Sequence, residues 1–251
     1  MSQFSALLKR RGLALRFSGP GRLQLVIWLF VWLLGAWLIQ LVLDLLGFAT
    51  FGMNAQKGYE IASLAIMFLL QLWAIISGGQ LIEDDARGGK LDWLFAKPLP
   101  LSTYVSATYM AEVIWLGTIS LGIGLVSFAL ARLAGLAAMQ LSEAVIFFTV
   151  ACLGLSFWTV LTSTLSLVLR SVRAGTFTAF IVLAVSLTTQ NPPIWAQWLK
   201  LSPTHLMGWL ESIMLKTPDP GTLLLTSVLT LLAIIILGGI SVTSLRRRFI
   251  Q

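Results

Sequence analysis

The residues in this chain that could do chemistry are few, and their spacing excludes most kinds of it. The single cysteine, Cys152, lies inside an apolar run, and neither it nor the single histidine, His205, has neighbours at metal-ligand spacing. Cys152 has no second cysteine to pair with and reads as a small packing residue. A phosphate-cradling loop needs G-x-x-x-x-G-K-[ST]. The one Gly-Lys pair is Gly89-Lys90, with Asp84 where the first glycine belongs and Leu91 where the hydroxyl belongs. The chain therefore has no nucleotide loop, no metal set and no expected cofactor of its own, and is not expected to be an enzyme; if ATP and magnesium are used, another chain binds them. One carboxylate stands out. Glu112 falls about two turns into a long apolar run, where a charge is costly and marks a candidate transport-path residue. It would face a water-filled cavity, take up a proton, or pair with a base such as Arg170 or Arg173.

The densest charge lies in LIEDDARGGKLDWLFAKPLP, from Leu81 to Pro100, which holds Glu83, Asp84, Asp85, Arg87, Lys90, Asp92 and Lys97. Gly88 and Gly89 allow a tight turn, and Pro98 and Pro100 close the stretch and start the next helix. Leu91, Trp93 and Leu94 are apolar among these charges, and Lys90 to Ala96 can form a short helix. Basic residues are expected in an inner loop of a membrane protein, but acidic ones are not required there. Apolar anchors ringed by charge suit a partner's surface, with the charges giving register.

The elements that would position these residues follow from composition. Of 251 residues, 57% are hydrophobic and only 11% charged, against roughly a quarter charged in a soluble domain. The reading is an all-α integral membrane protein, a single transmembrane domain over residues 1–251. Six apolar runs approach the length needed to span about 30 Å of hydrocarbon: Leu23–Leu46, Glu60–Gly79, Tyr104–Leu130, Ala144–Leu169, the short Ala174–Thr189, and Leu223–Val242. Met1 to Gly21 is basic without the apolar core of a cleavable leader, so the first span is expected to act as its own insertion signal. Thirteen of the seventeen basic residues fall on the side holding both termini and four (Lys57, Arg132, Lys200, Lys216) on the other. The positive-inside rule makes the first side cytoplasmic. That asymmetry explains the net charge of +7 without nucleic acid. Residues 1–22 read as an amphipathic interfacial helix, with Phe4, Leu7, Leu8 and Leu15 on one face. Residues 190–221, punctuated by five prolines yet rich in Trp and Leu, read as short helices dipping into the outer leaflet or capping the bundle.

At Glu83-Asp84-Asp85-Ala86-Arg87-Gly88-Gly89-Lys90-Leu91-Asp92-Trp93-Leu94, ending at Pro98-Leu99, the chain resembles the type-2 class of ABC-transporter permeases, the membrane halves of many bacterial ATP-driven exporters. Lys90 stands where that family often has Thr. Leu201-Ser202-Pro203 resembles the family's proline-containing motif in the last external segment. The resemblance implies that the stretch at residues 80–100 is a coupling helix resting in a cleft of a cytoplasmic ATPase. Glu83, Asp84, Asp85, Arg87, Lys90, Leu91, Trp93 and Leu94 would then transmit ATP-driven closure. It also implies a dimer, with itself or a related permease, two ATPase copies holding ATP and Mg, and export across a bacterial-type plasma membrane. Two other readings stand beside it. One is an ATP-independent secondary transporter or channel using Glu112; the other is a membrane anchor or assembly factor that recruits a cytosolic partner and moves nothing.

Overall fold

The computed structural model of the chain describes residues 5–8, 26–28, 30–32, 34, 35, 38, 55–83, 85, 100–135, 137, 139–188, 201–214 and 219–249. These are helical with short turns, and no strand occurs among them. The helices are α1 (Ala55–Gln80), α2 (Leu101–Gly117), a π-helical turn (Thr118–Ile123), α3 (Gly124–Leu133), α4 (Leu141–Val168), α5 (Val172–Thr188), a 3₁₀ turn (Pro203–His205), α6 (Leu206–Met214) and α7 (Pro220–Phe249). Four stretches are long and apolar enough to cross a membrane: Tyr59–Gln80, Leu101–Leu133, Leu141–Val168 and Pro220–Arg248. They overlap the second, third, fourth and sixth expected spans, each within a few residues except at the end of the last, which runs on through its arginines. The fifth, α5, has 17 residues and is shorter. The expected first span and the N-terminal interfacial helix lie mostly outside the described residues, although the residues described between 26 and 38, and residues 5–8, are helical.

The helix ends follow from local chemistry. At the start of α4 the Glu143 carboxylate accepts from the Gln140 N–H at 2.8 Å, which satisfies an orphan donor and complements the positive end of the helix. At its other end the Ser171 N–H donates to the Ser166 carbonyl at 3.0 Å and the Arg170 N–H to the Leu167 carbonyl at 3.3 Å. This is the Schellman closure, with Arg170 at φ 52 in the left-handed position that glycine usually takes. The start of α7 is capped by Asp219, whose carboxylate accepts from the Thr222 hydroxyl at 2.6 Å and the Thr222 N–H at 3.0 Å, while Pro220 fills the first helical position. Those bonds, the hydroxyl's first, hold the Asp219 carboxyl below its ordinary range.

The π-turn interrupts the third expected span, which periodicity alone reads as one continuous helix. Its surroundings explain where it forms. Gly117, Gly122 and Gly124 and the β-branched Thr118, Ile119 and Ile123 are weak helix formers. The Thr118 and Ser120 hydroxyls each donate to the carbonyl four residues back, at 2.8 Å, and so compete with the regular ladder. The sequence suggests close packing for the three glycines, and the structure divides them. A Cβ on Gly124 would lie 2.5 Å from Phe148, one on Gly117 3.4 Å from Cys152, and one on Gly122 would meet nothing within 4 Å.

Helix α4 is the hub, packed against α1, α2, α5, α6 and α7. Against α1 the approach is close: a Cβ on Gly78 would sit 2.5 Å from the Thr159 carbonyl oxygen, and the Thr159 hydroxyl reaches the Ala74 carbonyl at 3.5 Å. Small residues that let backbones meet are how helices associate where lipid removes the hydrophobic drive. At the other end Trp32 meets Phe148 edge to face at 5.6 Å, and Phe148 meets Phe147 at 5.1 Å. Helix α6 buries Leu206, Trp209, Leu210, Ile213 and Met214, an i, i+3, i+4, i+7, i+8 stripe. Its first residue, Leu206, seats against Gly154, midway along α4.

Candidate functional site

The charged segment leaves α1 through a turn at Leu81 and Ile82, and its first acids engage other helices at once. Glu83 has a fully buried carboxyl and receives the Arg248 guanidinium, Nη1 to Oε2, at 2.7 Å. Arg248 belongs to the last turn of α7, 165 residues further along the chain. The Tyr104 hydroxyl, one turn into α2, donates to the Asp85 carboxylate at 2.7 Å. Under these two contacts Ile82, Tyr104, Val105, Tyr109, Val160, Leu167 and Leu245 form a separate apolar cluster drawn from α2, α4 and α7. A buried carboxylate needs such a partner, since removing one side leaves a charge without compensation.

About two turns deeper a hydroxyl cluster joins the same three helices. The Tyr109 and Ser241 hydroxyls lie 2.7 Å apart and those of Thr164 and Ser241 2.8 Å apart, all buried. Thr164 also bonds back to the Val160 carbonyl at 2.7 Å and across to the Leu237 carbonyl at 3.3 Å. Polar contacts therefore run in a line from the exit of α1, through the ends of α2 and α7, to the interior of α4. Such an arrangement can carry a displacement of the charged segment into three long helices together. It offers no nucleophile with a base and, among the described residues, no group of three or more His, Cys, Asp or Glu that could hold a metal ion.

Of the expected coupling and transport-path residues, the structure describes Glu83, Asp85 and Glu112. Asp84, Arg87, Gly88, Gly89, Lys90, Leu91, Trp93, Leu94 and Pro98 lie outside the described residues. Glu112 is buried in α2, 3% exposed. The hydroxyls of α4 do two things: Ser156, Thr159, Thr162 and Thr164 bond back to their own helix, and Thr159 and Thr164 also reach α1 and α7. Arg248, Tyr104, Tyr109 and Ser241 are the residues that sequence reasoning missed. Arg248 enters there only as one of the basic residues fixing orientation, and nothing in local spacing pairs it with Glu83. Gln71 is a different case: it is fully buried in α1, and among the described residues neither its Oε1 nor its Nε2 has a hydrogen-bond partner, at a cost of about 1–3 kcal/mol for each group left unmade. Searched against family models, against curated proteins and against solved structures, the chain matches none of them.

Proposed function

We propose that this chain is the membrane-spanning permease subunit of an ATP-driven exporter of the type-2 ABC class. In this reading it has six spans and both termini in the cytoplasm of a bacterial-type plasma membrane. It dimerises and couples to two copies of a separate ATPase that hold ATP and Mg. The observation that carries the reading is the tethering of the charged segment's start: Glu83 to Arg248 of α7, Asp85 to Tyr104 of α2, and Ile82 into the cluster shared with α4. A segment built only as a solvated inner loop has no need of part-buried ties to three helices. ATPase closure pressing on residues 84–98 would move the ends of α2 and α7 through these ties. The seating of Leu206 midway along α4 supports placing the segment before α7 as a re-entrant element, its backbone turns sheltered by protein.

The test is co-purification from detergent with the ATPase encoded beside it. Trp93→Ala and Asp84→Lys are expected to weaken capture of the ATPase. Arg248→Gln is expected to leave capture intact while lowering substrate-stimulated ATP turnover. Retention of no ATPase by the wild-type chain would sink the proposal. The burial of Glu112 favours one second reading, a proton-driven transporter that needs no ATPase. Transport in vesicles driven by a pH gradient alone, and lost in Glu112→Gln, would support that reading in place of the first.

A further inference from the structure

Between α2, α4 and α7 lies an elongated apolar groove of about 730 Å³. Helix α4 forms its floor from Thr149 to Val160, and the walls run from Ser102 to Leu121 on one side and from Leu231 to Val242 on the other. At 1.5 Å per residue the first wall is about 28 Å long, most of the hydrocarbon thickness. The floor and the second wall each run about 17 Å, so all three helices enclose the groove over roughly half of that thickness. Two glycines help make the hollow. Gly238 and Gly239 line it, and a Cβ on either would meet nothing within 4 Å. They leave space open, unlike Gly78, which closes space.

Beyond one end of the groove the α7 stripe reaches a basic residue. The lining positions of α7, Leu231, Ile235, Gly239 and Val242, recur every three or four residues, and the next position on that stripe is Arg246. Arg246 and Arg247 are exposed and, among the described residues, make no ion pair, whereas Arg248 on another face is held by Glu83. Ser102 and Thr103 line the same end from α2. The start of α2 and the end of α7 are neighbours there, because Leu101 and Tyr104 pack with Leu245.

We propose that this groove binds one acyl chain of an anionic phospholipid, with the headgroup phosphate held by Arg246 and the Ser102 and Thr103 hydroxyls. The occupant follows from two properties: a lining that offers hydrocarbon little but hydrocarbon, and beyond one end a cation that makes no ion pair among the described residues. The inference holds whether or not the chain works with an ATPase.

Native mass spectrometry of the full chain in neutral detergent tests it, with phosphatidylglycerol and phosphatidylcholine supplied in equal amounts. One phosphatidylglycerol per chain is expected to be retained, with a preference of about five-fold over phosphatidylcholine, the weight of one basic residue near a lipid phosphate. Arg246→Gln should bring the preference close to one. Gly239→Leu, which fills the hollow, should reduce retention of both lipids to background without lowering the unfolding temperature; should that variant fail to fold, Gly238→Ala and the Arg246→Gln arm decide. Equal retention of both lipids, indifferent to Arg246→Gln, overturns the proposal. So does displacement by glycerol phosphate of a ligand that proves to be headgroup alone. Cross-linking of Cys152 on the groove floor to Cys152 of a second copy in native membranes would make the groove an interface between copies and would also overturn it.

Discussion

Helices α4 and α7 are alike in length, 28 and 30 residues, and opposite in place. In α4 67% of the spanning stretch is buried; in α7 only 11% is, although α7 is the more hydropathic of the two. Leu224, Ile235 and Ile236 of α7 face outward, while the hydroxyls of α4 from Ser156 to Ser166 are inside. In water the ranking would be reversed. In a bilayer the tails are as apolar as leucine, so apolar side chains gain nothing by leaving them, and helices meet through small residues and hydrogen bonds. Within this protein burial therefore follows helix contacts and buried hydroxyls rather than hydropathy.

The comparison can be broken hardest at Gly78. Gly78→Leu drives a branched side chain into the Thr159 backbone and should destabilise the chain by about 3 kcal/mol or more, read as loss of the folded form in detergent–SDS titrations. Next comes the tie at the end of α7. Arg248→Ala leaves the Glu83 carboxylate buried without that cation, at about 3 kcal/mol, the lower end for a buried pair because Arg248 is itself 26% exposed. The double variant Glu83→Gln/Arg248→Met should lose less than the single one, and equal losses would show that the pair is not a unit. Smallest is the contrast between the helices themselves. Thr164→Val keeps the shape but removes the bond to Ser241, and should cost about 0.6 kcal/mol. Ile236→Ala on the outer face of α7 should cost less than about 0.5 kcal/mol. If Ile236→Ala costs more in the same titration, α7 is buried by something the single chain lacks.

Much of the scaffold was legible because spanning helices are long and uniform. The fourth span is expected at Ala144–Leu169 and found at Leu141–Val168, since Gln140, Glu143 and the Arg170 turn bracket an unbroken run. The π-turn was not legible. Its glycines and hydroxyls are visible, but the same residues also serve close packing, and only Gly124 proves tightly packed. The site was legible in one half. An excess of acids that topology does not require marked the charged segment, and the structure places Glu83 and Asp85 in contacts with α7 and α2. The identity of their partners was hidden, because Arg248 and Tyr104 are fixed by three-dimensional packing across 165 and 19 residues of chain. An arginine beside a membrane already has a sufficient explanation in orientation.

The π-turn at Thr118–Ile123 has a consequence for how α2 and α3 are addressed. It inserts one residue into a 3.6-residue winding, so the two halves of this 33-residue stretch run out of phase by about 100°. Tyr104 and Tyr109 keep one phase, toward Asp85 and Ser241. Ser127 and Phe128 keep the other, with the Ser127 hydroxyl donating to the Trp32 carbonyl at 3.3 Å and Phe128 in the main core. The turn thus acts as a vernier, letting one rod mesh with different neighbours at its two ends. Deleting a single residue within it would straighten the winding and swing Ser127 off Trp32 and Phe128 out of the core while leaving the Tyr109 end in register.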